Sequence, residues 1–115
     1  MMVEITMHVS DKLARQIGPA RQWLPAILEL SMARFKTRAA GAAAELIDFL
    51  MNNPSDEELL HYHVSTATQQ RLQRLLTLNE AGLLGEPEQA ELDELERLEQ
   101  IVVLLKAQLA EGADL

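Results

Sequence analysis

The chain has 115 residues, a formal net charge of −8 and no cysteine. This length fits one small domain, and the lack of cysteine excludes disulfide scaffolds and metal sites built from thiolate ligands. No apolar run reaches the roughly 18 residues that a membrane-spanning helix requires, and the N-terminus lacks a signal-peptide pattern. We therefore expect a cytoplasmic protein.

The charge is divided unevenly along the chain. Residues 1–40 contain six basic and three acidic side chains, a net charge of +3. Residues 41–115 contain four basic and fifteen acidic side chains, a net charge of −11. Such asymmetry predicts that the two halves have different tasks, one of which involves an anionic partner. Helix surfaces that carry opposite net charge without any separate function would give the same charge distribution. The composition alone is compatible with both interpretations.

The first predicted element is a β-strand at residues 3–9. Apolar and polar side chains alternate there, which is the pattern of a strand with one buried face. No second strand pattern follows in the sequence, so the strand needs a partner in another molecule. We therefore predict a homodimer joined by an antiparallel two-stranded ribbon. Its dimerisation residues are the apolar set Val3, Ile5, Met7 and Val9.

The polar face of this ribbon is a candidate DNA-binding surface. A two-stranded ribbon fits the DNA major groove, and its outward side chains reach base edges. The start of the second helix, near residues 20–22, offers free N–H groups and a basic side chain to a phosphate. The candidate DNA-binding residues are Glu4, Thr6, His8 and Arg21. Because Glu4 repels phosphate, a ribbon that serves dimerisation alone is the alternative.

Three helices are predicted to follow the strand. Ser10 is a favourable N-cap for the first, and Gly18-Pro19 ends it. The second begins or bends near Leu24, because a proline follows, and continues to about residue 37. The third ends at about Asn52. We predict that residues 1–52 form the dimerisation module.

The second half is predicted to be an acidic helical hairpin at residues 65–115, reached through a junction at residues 53–64. Ser55 and Glu58 have the spacing of a capping box, which predicts a short helix in the junction. Gly82 is placed to end the first helix of the hairpin. In the second, apolar residues recur about every 3.5 positions, typical of a helix that packs on another helix. We predict that they bind a partner protein, with packing inside the chain left open: Leu92, Leu95, Leu98, Val102 and Leu105.

The sequence contains no motif for catalysis, for a metal or for a cofactor. His61 and His63 are two residues apart, so they do not share a helix face, and no ligand spacing accompanies them. There is no phosphate-binding glycine loop and no nucleophile beside an evident base. We therefore predict a protein that is not an enzyme and has no cofactor.

Residues 3–17, Val-Glu-Ile-Thr-Met-His-Val-Ser-Asp-Lys-Leu-Ala-Arg-Gln-Ile, resemble the ribbon-helix-helix family of small transcriptional regulators, which includes bacterial antitoxins. The resemblance implies a dimer whose strand face contacts operator DNA and whose C-terminal helices neutralise a toxin. The chain departs from the family in its short first helix, in its turn at residues 18–21 and in a strand without Lys or Arg. Residues 69–82 and 88–99 are similar to uncharacterised bacterial antitoxin-like proteins, a match that implies no biochemical role.

Together these patterns predict a mainly α fold. One N-terminal strand pairs across a homodimer, and about five helices follow it, the last two forming the hairpin. The expected function is that of an antitoxin-like regulator, which binds a basic toxin-type protein through its acidic half and operator DNA through its ribbon. The alternative is a dimeric interaction or scaffold protein that does not bind DNA.

Overall fold

The computed structural model describes residues 2–113 of the chain, with side chains described for residues 2–110. Over this range the fold is entirely helical and contains no β-strand. A 3₁₀ helix at Gly18–Trp23 separates the first two of six α-helices. The α-helices are α1 (Asp11–Ile17), α2 (Leu24–Met32), α3 (Ala39–Met51), α4 (Asp56–Leu60), α5 (Thr66–Glu80) and α6 (Glu86–Ala113).

The prediction of a β-strand at residues 3–9 is wrong. Residues 2–9 have no regular secondary structure, and nothing else between residues 2 and 113 is a strand that their backbone could pair with. A strand forms only where a neighbouring strand satisfies its N–H and C=O groups, so alternating side chains are not sufficient. The predicted ribbon between two copies of the chain therefore loses its structural basis.

The first helices are set by local signals that the sequence contains. The Ser10 hydroxyl accepts a hydrogen bond from the Leu13 N–H at 3.1 Å, so the predicted N-cap of α1 is present. No residue of α1 is buried. The 3₁₀ helix buries Ala20 and Trp23, and α2 then begins at Leu24 with a proline in its first turn. The start of α2 thus agrees with the prediction from that proline.

Helix α2 ends earlier than the sequence predicts, at Met32 rather than near residue 37. Arg34 adopts a left-handed backbone conformation with φ 55°, which breaks the helix. Glu94 of α6 holds the loop that follows. Its carboxylate accepts hydrogen bonds from the backbone N–H groups of Lys36 at 2.9 Å and Thr37 at 3.0 Å. A contact between residues far apart in sequence therefore shapes this loop.

The junction between the halves contains the predicted short helix. The Ser55 hydroxyl accepts from the Glu58 N–H at 3.1 Å, and the Glu58 carboxylate accepts from the Ser55 N–H at 3.1 Å. This reciprocal capping box starts α4 at Asp56, so the prediction of the box is confirmed.

The main hydrophobic core crosses this junction. Residues from the 3₁₀ helix, α2, α3, α4 and α6 bury their side chains in one cluster. Segments 1–52 and 65–115 therefore share a core. Its larger members are Trp23, Ile27, Leu30, Leu46, Leu50, Leu59, Val64, Leu98, Ile101, Val102 and Leu105.

Helices α5 and α6 pack against each other as a hairpin around a smaller cluster of buried residues. The turn between them begins at Gly82, which has φ 70°, and the Leu83 N–H donates to the Leu78 carbonyl at 2.9 Å. This is the glycine-terminated helix end that the sequence predicts. The smaller cluster contains Ala39, Leu75, Leu92 and Leu95.

Candidate binding surfaces

The five residues predicted to bind a partner protein lie inside the folded chain. Each is less than one-tenth exposed. Leu98, Val102 and Leu105 belong to the main core, and Leu92 and Leu95 belong to the smaller cluster between α5 and α6. Apolar periodicity identifies the buried face of a helix but not the molecule that covers it. The interpretation is therefore corrected: these residues hold α6 to its own chain.

The residues predicted to form the ribbon have no common face in the structure. Val3, Ile5 and Met7 are exposed, and Val9 is half-buried, on a segment without regular structure. The polar candidates Glu4, Thr6 and His8 are exposed on the same segment, and Arg21 is exposed on the 3₁₀ helix. Because no strand aligns alternate side chains, both the dimerisation face and the DNA-reading face that a ribbon would create are absent from residues 2–113.

A groove between α5 and α6 is the main apolar depression on the hairpin. Its volume is about 680 Å³. We call it the α6 groove and define it by its lining residues, Leu72, Leu76, Glu96, Glu99, Gln100, Val103 and Leu104. Leu72 and Leu76 are one turn apart on α5, and the α6 residues recur at spacings of three and four. One face of each helix therefore builds the groove.

The apolar part of the groove is open to solvent. Val103 is 61% exposed and Leu104 is 57% exposed, whereas their neighbours Val102 and Leu105 are buried in the main core. A second cavity of about 380 Å³ shares Leu72, Leu76, Glu99 and Val103 with the groove and continues it toward Tyr62. The side chains of Val103 and Leu104 therefore form one exposed apolar surface with Leu72 and Leu76.

The sequence contains a signal for this groove that the leucine spacing of α6 does not show. Residues 101–105 are five consecutive apolar residues, Ile-Val-Val-Leu-Leu, within a helix. A helix that buries one stripe needs apolar residues only at spacings of three and four. Ile101, Val102 and Leu105 satisfy that requirement, so Val103 and Leu104 are in excess of what the core uses.

Two of the acidic side chains on α6 accept hydrogen bonds from other parts of the fold. Arg71 donates to Glu91 from Nε at 2.7 Å and from Nη2 at 2.9 Å, and this bidentate contact lowers the pKa of Glu91 against the opposing effect of burial. Burial acts to raise the pKa of Glu94, but hydrogen bonds from Lys36 and Thr37 outweigh it and lower the pKa overall.

Glu96 and Glu99 differ from these two carboxylates. Both are exposed at the edge of the α6 groove, and neither has a hydrogen-bond or ion-pair partner among the side chains of residues 2–110. Lys106, at the far end of the hairpin, donates its Nζ proton to the Tyr62 carbonyl at 2.6 Å. The groove therefore offers two uncompensated negative charges beside exposed apolar side chains.

The three histidines do not form a ligand cluster: His8 lies on residues 2–9, His61 at the end of α4 and His63 in the loop before α5. The Nδ1 atom of His61 is 2.8 Å from the Glu57 carbonyl, and that of His63 is 3.1 Å from the Val64 carbonyl. In the described part of the chain, no three His, Asp or Glu side chains are grouped so that they could hold a metal ion. No helix within residues 2–113 combines the length and apolarity needed to cross a membrane.

Comparisons with protein-family models, with curated proteins and with solved structures gave no match. A function can therefore be proposed only from the surfaces of the chain itself.

Proposed function

We propose that this chain is an antitoxin-like regulator that captures a basic, amphipathic helical segment of a partner protein in the α6 groove. One observation carries the proposal: the exposed side chains of Val103 and Leu104 lie in a groove with Leu72 and Leu76, beside the uncompensated carboxylates of Glu96 and Glu99. The partner surface predicted from the sequence is thereby moved from the buried leucines to the exposed face of the same helix.

The shape of the groove suits a helical ligand. The lining residues of α6 extend from Glu96 to Leu104, which corresponds to a length of roughly 12 Å at 1.5 Å per residue. Two turns of a partner helix fit this length and place apolar side chains at spacings of three, four and seven residues against the groove. Burying Val103 and Leu104 would remove the largest exposed apolar side chains of α6 from water.

The charge around the groove favours a basic ligand. Residues 41–115 have a net charge of −11, and Glu96 and Glu99 are free to pair with Lys or Arg side chains that flank the apolar face of the partner. Charge complementarity of this kind accelerates association and excludes acidic competitors, and salt weakens it. A basic toxin-type protein, as the antitoxin resemblance implies, has the required chemistry.

This proposal does not include operator DNA. The predicted DNA contact was the ribbon, and residues 2–113 contain no strand that could form it. The alternative expectation, an interaction or scaffold protein without DNA binding, uses the same groove and differs in whether the partner is inhibited or only held. A cytoplasmic location is part of the proposal and agrees with a chain that contains no cysteine.

A pair of synthetic peptides tests the groove. The first has about 14 residues, with leucine at positions spaced by three and four and lysine at the other positions, and the second replaces each lysine by glutamate. We expect the basic peptide to bind the full chain in calorimetry and the acidic peptide not to bind. Equal binding of both peptides, or of neither, would overturn the proposal.

Variants locate the binding site. Val103→Asp and Leu104→Asp are expected to weaken the basic peptide about tenfold each, since each places a polar group in the apolar part of the groove. Leu83→Asp is the matched control, because Leu83 is also an exposed leucine but lies in the turn between α5 and α6. An effect of Leu83→Asp as large as that of Val103→Asp would place the peptide elsewhere.

The regulatory role has its own test. When the full chain is produced together with the protein encoded by the adjacent reading frame, an antitoxin restores growth that the neighbouring protein arrests. The Val103→Asp variant is expected to lose this protection while it still folds. Protection that survives in Val103→Asp and Leu104→Asp would separate the antitoxin role from the groove.

A further inference from the structure

A cavity separate from the α6 groove brings Arg38 together with Arg71 and Arg74, which lie more than thirty residues further along the chain. It has a volume of about 610 Å³ and lies where the first turns of α3 and α5 meet α6. Arg38 lines it from the start of α3, and Arg71 and Arg74 line it from one face of α5. The chain has ten basic residues and a net charge of −8, so three guanidinium groups in one cavity form a local exception to its acidic surface.

One of these arginines is fixed and two are free. Arg71 is held by Glu91, whose side chain is 7% exposed, and this contact uses two of the five N–H donors of the guanidinium. Arg38 and Arg74 are exposed, and no hydrogen bond or ion pair occupies their side chains within residues 2–110. Glu91 also lines the cavity, and the charge of Arg38, beside that of Arg71, helps to lower the pKa of its carboxylate. The cavity therefore holds three guanidinium groups against one carboxylate and keeps a net positive charge.

Apart from Glu91, the neighbouring acids are held by other groups. Glu88 is directed to the start of α6, where its carboxylate accepts from the Gly85 N–H at 3.2 Å. Glu94 is occupied by the loop between α2 and α3. Neither of these carboxylates lines the cavity. Both reduce the positive potential at a distance, but neither competes for the free N–H groups of the arginines.

The helix ends add to the positive potential. Ala39 begins α3, and Ala67 and Thr68 lie in the first turn of α5, and all three line the cavity. The N-terminus of an α-helix carries an effective charge of about half a positive unit. Two helix N-termini therefore border the cavity and add positive potential there, although the Ala39 and Thr68 N–H groups already donate to the Thr37 and Ser65 hydroxyls.

We propose that this cavity binds the phosphate groups of a small phosphate-bearing ligand. Arg38 from α3 and Arg74 from α5 offer free N–H donors to the phosphate oxygens, and Arg71, held in place by Glu91, adds a fixed guanidinium group. The volume is within the range of small-ligand sites. No aromatic side chain lines the cavity, so a nucleobase finds no stacking surface there and the phosphates supply the recognition.

The ligand is expected to be small rather than a nucleic acid. The carboxylate of Glu91 lines the cavity, and that of Glu88 is close enough to act on the charge of Arg71. These acids would repel a long polyanion more strongly than one or two phosphate groups. Two free arginines also match two phosphate groups better than one. Inorganic pyrophosphate is therefore expected to bind more tightly than inorganic phosphate.

The test is a calorimetric titration of the full chain at low salt with three ligands in turn: inorganic pyrophosphate, inorganic phosphate and ADP. Saturable binding in which pyrophosphate exceeds phosphate supports the proposal. Equal affinities for pyrophosphate and ADP identify the phosphates alone as the ligand, and tighter binding of ADP identifies a nucleotide. No saturable binding of any of the three, or binding of duplex DNA in preference to pyrophosphate, overturns it.

Substitutions of three different arginines complete the test. Arg38→Gln and Arg74→Gln are each expected to weaken pyrophosphate about tenfold, and the double variant to abolish saturable binding. Arg97→Gln is the matched control, because Arg97 is an exposed arginine of α6 that does not line the cavity. Equal losses in Arg97→Gln and Arg74→Gln would reduce the site to general surface charge. The Val103→Asp variant should bind pyrophosphate normally, so failure of the groove and failure of this cavity are distinguishable.

Discussion

Residues 2–9 and the second half of α6 both expose apolar side chains, but they do so in different structural settings. Ile5 is 78% exposed on a segment without secondary structure. Val103 is exposed on a 28-residue helix whose opposite face is packed into the main core. Fixing the backbone of a residue costs roughly 1–2 kcal/mol, and α6 has already met that cost through folding. A partner that binds α6 therefore finds a preformed surface, whereas one that binds residues 2–9 must order them.

The two regions also differ in what their sequence patterns require. The alternation at residues 3–9 becomes a strand only if another strand is present, and none lies within residues 2–113. The spacing of apolar residues along α6 needs only a surface to pack on, and α2, α3, α4 and α5 supply it. A pattern that depends on a missing partner predicts structure less well than one that the same chain satisfies.

The largest expected effect contrasts a core residue of α6 with an apolar residue of the N-terminal segment. Leu98 is fully buried, and Leu98→Ala is expected to lower the free energy of unfolding by about 2–5 kcal/mol through lost contacts and a cavity. Ile5→Ala is expected to change it by less than about 0.5 kcal/mol, since Ile5 contacts no core. Urea unfolding followed by circular dichroism measures both. A similar loss in Ile5→Ala would show that the segment is packed, and would abolish the contrast.

A smaller effect is expected from the carboxylate that joins α6 to the loop after α2. Glu94→Ala leaves the N–H groups of Lys36 and Thr37 and the Thr37 hydroxyl without their acceptor. We expect a loss of about 1–3 kcal/mol in the free energy of unfolding. Glu96→Ala is the matched control on the same helix, and a change below about 0.5 kcal/mol is expected there because Glu96 has no partner in the described chain.

The pH dependence of this effect has a defined sign. The folded state lowers the pKa of Glu94 from its ordinary value of 4.5, so the folded protein binds this proton less readily than the unfolded chain. The stabilisation from Glu94 is therefore complete above about pH 4.5 and is lost as the pH falls through the lower folded pKa. The difference between the native chain and Glu94→Ala should shrink over that acidic range. A difference that stays constant on acidification would contradict an ionised Glu94 as the acceptor.

Local features of the fold were predictable from the sequence, and features that join distant residues were not. Ser10, the pair Ser55 and Glu58, and Gly82 act on backbone groups within a few residues, so their caps follow from the sequence alone. The loop after α2 is held by Glu94, which lies more than fifty residues away in sequence. Nothing in residues 24–37 indicates that contact.

The candidate sites show the same division. The leucine spacing of α6 predicts an apolar face, but only the fold shows which helices cover it. The prediction that Leu98 and Val102 bind a partner is therefore wrong, because both lie in the main core. Arg38 lies more than thirty residues from Arg71 and Arg74, and only the packing of α3 beside α5 and α6 places the three in one cavity. The excess apolar residues at 101–105 are the exception, because that signal is local.

The smallest effect is expected when residues 2–9 are deleted. The segment contributes no residue to either hydrophobic cluster, and Ser10 still caps α1 in its absence. We therefore expect the free energy of unfolding to change by less than about 0.5 kcal/mol, and the basic peptide and pyrophosphate to bind as before. Urea unfolding, calorimetry and sedimentation of the shortened chain beside the full chain measure these outcomes.

A loss of stability that depends on protein concentration would mean that the segment packs on a second molecule, because only an association is weakened by dilution. In that case the exposed apolar side chains of residues 2–9 and of α6 would be two interfaces rather than one interface and one unpartnered segment.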